Sequence, residues 1–167
     1  IVLAGGVLDL AGTDEQKKRF LPDLIAGTNF MSLAYQEGAR HTPNLVATEL
    51  AEGPEGLTLN GKKQLVLDGG SANHLIVVCR SSGEKTDREG LSIVVVDAKT
   101  KGVTVKNNLL LDGSRSANIE FNDVVISEKD LIGHPGKGAD TLDKLYAQAS
   151  VALSAEMLGG AQTAFEM

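Results

Sequence analysis

Between Phe30 and Ile126 the chain is divided into short runs of β-forming residues, a pattern that few folds accommodate. The runs are Phe30–Tyr35, Leu45–Leu50, Gly56–Leu59, Gln64–Leu67, Leu75–Arg80, Leu91–Val96, Val103–Val105, Ala117–Phe121 and Val124–Ile126. They are rich in Val, Ile and Leu, and Gly, Asn, Asp and Ser separate them, which predicts an antiparallel barrel or sandwich. Asn60-Gly61, between Leu57-Thr-Leu59 and Gln64-Leu-Val-Leu67, is the strongest hairpin signal, since a type I′ turn needs positive φ at both central residues. The polar stretch Ser81–Gly90 reads as an exposed loop.

Helical patterns flank this region. Thr13-Asp-Glu-Gln16 has the form of a capping box, and Phe20, Leu21, Leu24 and Ile25 follow at helical spacing. Pro22 lacks a backbone donor and is expected to divide the stretch into two short helices, with Gly27 as the stop. After Gly133-His-Pro-Gly-Lys-Gly138 a long helix is expected. Leu142, Leu145, Tyr146, Ala149, Leu153, Met157 and Leu158 trace one face of it. Leu142, Leu145, Leu153 and Leu158 are expected to form an exposed apolar surface that promotes association. Gly159-Gly160 inside this helix costs about 1 kcal/mol per Gly relative to Ala, and close packing against another helix is the expected reason for it.

A length of 167 residues suits one domain with helical flanks. The chain starts at Ile1 without an initiator Met and ends at Met167 within a helical pattern, so a piece of a longer protein is expected. A net charge of −6 argues against nucleic acid, which calls for a basic stripe. No apolar run reaches the roughly 18 residues that span a bilayer. Cys79 is the single cysteine and sits in the apolar run Leu75–Arg80. A buried structural thiol in a reducing, cytoplasmic setting is expected.

Familiar chemical motifs fail on spacing. In Gly133–Gly138 only two residues separate the first Gly from the Gly-Lys pair, and Gly138 stands where a phosphate loop needs Ser or Thr. His41, His74 and His134 lack metal-type spacing, so no metal is expected. There is no Gly-x-Ser-x-Gly elbow, and most Asp and Glu lie at caps, turns and strand ends.

Four segments, in collinear order, resemble the acyl-CoA dehydrogenase family. Gly12-Thr-Asp-Glu-Gln-Lys-Lys-Arg-Phe-Leu-Pro-Asp-Leu-Ile-Ala-Gly27 resembles the motif that closes the family's amino-terminal helical domain. Leu33-Ala-Tyr-Gln-Glu37, with the loop to Thr42, stands at its flavin signature. Leu59-Asn-Gly-Lys-Lys-Gln-Leu-Val-Leu-Asp-Gly-Gly70 resembles its Leu-Asn-Gly-x-Lys-x-Trp-Ile-Thr-Asn-Gly-Gly, and Ile119–Ile126 through Gly133 and Gly138 resembles its Ile-x-Phe-x-Asp-Val motif and Gly-rich turn.

The resemblance implies the close of a helical domain over residues 1–28, a β-barrel middle domain over 29–133 and the start of a second helical domain over 134–167. It also implies FAD, acyl-CoA and an electron-transfer flavoprotein as cofactor, substrate and partner, within a homo- or hetero-oligomer. In the family a carboxylate takes the α-proton while a hydride leaves the β-carbon for flavin N5. That base lies in the carboxy-terminal domain, so no catalytic residue is expected here. By position, Tyr35 and Gln36 would lie beside the flavin ring and Thr42 near cofactor and acyl-CoA. Leu65 and Leu67 replace the Trp and Thr beside the ring. Gly38-Ala-Arg-His-Thr-Pro43 departs from the signature, and Ala147 and Ser150 replace an Asp-x-x-Arg that holds substrate. The Tyr-Gln-Glu form looks most like the subgroup containing the small subunit of pimeloyl-CoA dehydrogenase. These changes predict that this stretch alone binds FAD weakly or not at all. The alternatives are a non-catalytic partner subunit and a β-barrel binding module unrelated to flavin.

Overall fold

Helix α1 (Val2–Ala11) turns at Gly12 into helix α2 (Asp14–Ala26), and both pack on one face of a β-sheet. The computed structural model describes residues 2–54 and 56–167. The expected capping box is present: Gln16 N donates to Thr13 Oγ1 at 3.2 Å, and Thr13 N donates to Gln16 Oε1 at 3.0 Å. Pro22 does not divide α2, which runs unbroken to the left-handed Gly27 cap at φ 72°. The bond lost to proline belongs to the carbonyl of Lys18, an exposed residue whose carbonyl water can solvate, while buried Phe20 and Leu24 anchor both halves.

The strands are β1 (Met31–Ala34), β2 (Glu49–Gly53), β3 (Gly56–Leu67), β4 (His74–Arg80), β5 (Leu91–Asp97), β6 (Val103–Leu109), β7 (Arg115–Ile126) and β8 (Leu131–Ile132). They pair in the order β6-β7-β3-β2-β4-β5-β8, with β1 on β4. Most pairs are antiparallel, but β1 and β2 both run parallel to β4. The antiparallel barrel expected from strand spacing is thus met by a mixed sheet whose pairing ends at β6 and β8. Joined by the long 35–48 connection, β1 and β2 follow one another along β4, Met31–Ala34 against His74–Val77 and Glu49 against Arg80.

Asn60-Gly61 is not a hairpin. The two short runs expected around it form one strand, β3, and the chain reverses instead where Gly53 pairs with Gly56. Gly61 has φ 146°, but Asn60 is not among the positive-φ residues, so a type I′ turn is excluded. Gly61 serves close approach: a Cβ there would stand 2.6 Å from Thr48 Cα. Likewise Ala117–Phe121 and Val124–Ile126 are one strand, β7, continued through Asp123 at φ 51°.

Strands β4 and β5 are buried on both faces, which is why their sequences do not alternate with polar residues. Ile76, Val78, Ile93 and Val95 face Val7, Leu8, Phe20 and Leu24 of the helices. Leu75, Val77, Cys79, Val94 and Val96 face a second cluster with Leu59, Val66, Ile119, Phe121 and Val124. The β3–β7 half of the sheet therefore folds over the β4–β5 half.

Helix α3 (Gly138–Glu166) docks only through its first turns. Leu142 and Leu145 are buried in the core, correcting the expectation that they join an exposed surface, whereas Leu153, Met157, Leu158 and Phe165 are exposed. A Cβ at Gly159 or Gly160 would meet nothing within 4 Å, so close packing at this pair is not observed.

Candidate functional site

A groove of about 860 Å³ lies between the α1–α2 helices and the ends of β1 and β3. Its helical side is apolar, with Val2, Leu3, Leu24 and Ile25, and its strand side carries Tyr35, Gln36, Leu65 and Leu67. Four residues singled out from separate sequence segments thus share one groove. Thr42 does not line it; that side chain is exposed on the following loop and donates to Arg40 O at 3.3 Å.

The presentation of Leu65 has a local cause. Between Lys63 and Val66 the β3–β7 register shifts, and Leu65 takes a left-handed φ of 51°. Gln36 O accepts from Gln64 N at 2.8 Å, and Asn118 Oδ1 accepts from Leu65 N at 3.2 Å, so the bulge is held on both sides. Val66 points into the second core cluster, while Leu65 and Leu67 stand out as an apolar shelf, 42% and 56% exposed.

Beneath the shelf lies a buried ion pair that the sequence reading did not single out. Lys63 Nζ donates to Glu37 Oε1 at 2.6 Å and to Tyr35 O at 3.3 Å, with the Lys63 side chain wholly inaccessible. Glu37 also accepts from Ala47 N at 2.6 Å and Thr48 N at 2.9 Å. Burial pushes the Glu37 carboxyl up, but the Lys63 ammonium and these donors outweigh it and hold the pKa below its ordinary value. Burial holds Lys63 below its usual value despite Glu37. Cys79, the expected buried thiol, lies in the same interior and is pushed up to about 12 by burial.

Tyr35 reaches beyond the groove. Its ring lies 5.8 Å from that of His41 and 5.7 Å from that of Tyr146 on α3. Burial raises the pKa of both phenols, most strongly for Tyr146, whose hydroxyl has no hydrogen-bond partner among the described residues.

Residues 32–124, more than half of the chain and including β3 and all of β1 but Met31, match the family described as acyl-CoA dehydrogenase, middle domain. The chain belongs to the acyl-CoA dehydrogenase family. Among curated relatives it is 29% identical to the 3-(aryl)acrylate reductase of Clostridium sporogenes, over 98% of this chain and 44% of that protein. It is 27% identical to the caffeyl-CoA reductase-Etf complex subunit CarC of Acetobacterium woodii, again over 98% of this chain and 44% of that protein. The solved butyryl-CoA dehydrogenase of Megasphaera elsdenii superposes with a TM-score of 0.86 at 25% identity, over 95% of this chain and 42% of that one. The chain thus spans less than half the length of these acyl-CoA dehydrogenase relatives.

Proposed function

We propose that this chain supplies the sheet wall of the flavin and acyl-CoA site in an FAD-dependent enzyme that dehydrogenates acyl-CoA thioesters between the α- and β-carbons. What carries the reading is the convergence of Tyr35, Gln36, Leu65 and Leu67 on one groove in a member of this family. In that reading residues 1–28 and 134–167 belong to flanking helical domains and 29–133 to a barrel-type middle domain, as the folded-over sheet suggests.

The residues present suit one face of a flat aromatic ring. Leu65 and Leu67 offer apolar area, but the polar side chains beside them are engaged: Ser32 Oγ donates to Leu67 O at 2.6 Å and Gln36 Nε2 to Gly38 O at 2.9 Å. Neither leucine side chain donates a hydrogen bond or stacks as an indole does. The wall therefore fits the apolar face of a flavin and not its polar edge. The flavin, when bound, would accept the hydride; this chain's residues would shape its apolar side, and Thr42 on the adjoining loop would be the residue that meets acyl-CoA.

A partner-subunit role without catalysis is the second reading. Leu65 and Leu67 favour it, as do Ala147 and Ser150, whose hydroxyl donates back to Tyr146 O at 2.8 Å within its own helix. The Tyr35-Gln36-Glu37 form and the aliphatic pair also support placing the chain with the subgroup of the pimeloyl-CoA dehydrogenase small subunit. An electron-transfer flavoprotein is the proposed electron acceptor, supported by the relative named as a subunit of an Etf complex. Because this reading puts the catalytic carboxylate outside residues 1–167, anaerobic titration of the intact, flavin-loaded protein that carries this chain with acyl-CoA thioesters separates the two readings. Bleaching of the flavin's visible absorbance is expected of an enzyme, whereas flavin that no acyl-CoA reduces would favour the partner subunit.

A further inference from the structure

The loop of residues 38–46 is held at its base and at its crest by different chemistry. At the base, one carboxylate clasps both ends, because Glu37 precedes the loop and accepts from Ala47 N and Thr48 N that follow it. Lys63 locks that carboxylate from below and also binds the carbonyl of Tyr35. At the crest, His41 meets Tyr35 and Tyr146, with ring centroids 5.8 and 6.5 Å away, and its Nδ1 is 3.5 Å from the Tyr35 hydroxyl. Replacing a buried ion pair by apolar side chains of similar volume is often neutral or stabilising, so stability is a weak reason to keep one.

We infer that Lys63 and Glu37 are positioning residues that clasp the 38–46 loop shut and so fix Tyr35 and Gln36 as the end wall of the groove. The inference rests on the groove being the ligand site described above. With the clasp removed, the loop leaves α3 and the end wall loses its fixed shape. The second core cluster contains none of these residues and remains, and the first keeps Val46, the loop's last residue, as a buried member.

The chain offers a direct readout. It has no Trp and only two Tyr, Tyr35 and Tyr146, which lie against each other and His41, so tyrosine fluorescence and the tyrosine band of near-ultraviolet dichroism come from this cluster. Arg40 is exposed within the loop and gives trypsin a site there. In Lys63→Met, Glu37→Gln and the double variant, cleavage after Arg40 should rise about tenfold or more, as local opening becomes easier, and the tyrosine dichroism should fall. The double variant is decisive, since it leaves no buried charge. A melting temperature at or above that of the unaltered protein, together with raised Arg40 cleavage, supports a positioning role. Cleavage and tyrosine signals unchanged in the double variant overturn it. Should the single variants fail to fold, amide exchange on the unaltered protein decides: Ala47 and Thr48 should be protected, and exchange as fast as in an unstructured peptide overturns the clasp. FAD titration adds an independent arm. If the unaltered protein binds flavin, the double variant should bind about tenfold more weakly, and equal affinity cuts the link to the groove. If the unaltered chain binds none, as expected of one wall of a site, the tryptic and tyrosine signals still judge the clasp.

Discussion

Asn60 and Asp123 exchange two hydrogen bonds across β3 and β7, Asn60 Nδ2 donating to Asp123 Oδ1 at 3.1 Å and Asp123 N donating to Asn60 Oδ1 at 2.8 Å. The pair spans a register shift in the ladder and steadies Asp123 at its left-handed φ of 51°. Asn60→Ala removes both bonds and leaves Asp123 strained without its local partner. Both residues are exposed, so a loss of about 1 kcal/mol is expected, read as a lower urea midpoint at unchanged slope. An unchanged midpoint would show that the pair contributes nothing to stability.

That pair also explains what the sequence concealed. Short β-runs, the Thr13–Gln16 box and the Gly27 stop were legible because each is local, set by period, capping chemistry or permitted φ. Asn60-Gly61 carries the local signature of a turn, yet Asn60 bonds to a residue 63 positions away and Gly61 makes room for Thr48; tertiary contacts override the local preference. Reading β3 as two strands also hid Lys63. On one continuous strand a period of two from Leu59 through Gly61 places Lys63 inside, and a buried ammonium calls for a carboxylate. Tyr35, Gln36, Leu65 and Leu67 were singled out by motif, but the bulge that turns Leu65 outward depends on Asn118 of β7 and has no sequence signal on β3.

Leu65 should be replaceable without harm to the fold. A non-glycine residue at φ 51° carries a strain of about 1–2 kcal/mol, and its exposed side chain recovers little by burial. Leu65→Gly relieves the strain but adds about 0.5–1 kcal/mol of backbone entropy to the unfolded chain. Stability equal to the unaltered protein or up to about 1 kcal/mol greater is expected in thermal and urea unfolding. Any flavin affinity should weaken with loss of the shelf. A clear loss of stability would mean that the shelf residue supports the fold.

The thiol of Cys79 should be silent in the native state. It is fully buried, and burial raises its pKa to about 12 although the Lys63 ammonium pulls the other way. The nucleophilic thiolate is then negligible near neutrality. Alkylation by iodoacetamide should require denaturant and follow the unfolding curve. Prompt modification of the folded protein would contradict the placement of Cys79 in the second core cluster.

Acid should weaken the fold through Glu37. Its folded-state pKa lies below the ordinary value of 4.5, so the ionised carboxylate adds stability that is complete above that value and lost as pH falls through the folded pKa. Lys63 has its pKa depressed from 10.5, and the unfolded chain then holds more protons in the interval below 10.5, so stability rises with pH there. Urea midpoints taken from pH about 7 down to about 3 should fall less steeply in Glu37→Gln than in the unaltered protein. Parallel curves would assign the acid sensitivity to other carboxylates.

Helix α3 should divide into an indispensable start and a tolerant remainder. Leu145 is wholly buried where α3 meets α1 and β5; a Cβ at Gly6 of α1 would come within 2.7 Å of Leu145 Cδ1. Leu158, three turns further on, is 70% exposed. Leu145→Ala opens a cavity and should cost about 2–5 kcal/mol. Leu158→Gln touches no described core residue and should stay within about 0.5 kcal/mol of the unaltered protein. The contrast holds for the isolated chain, and sedimentation at the concentration of the unfolding measurement checks it. If Leu158→Gln destabilises strongly and the effect grows with protein concentration, the far half of α3 is covered in solution by another molecule.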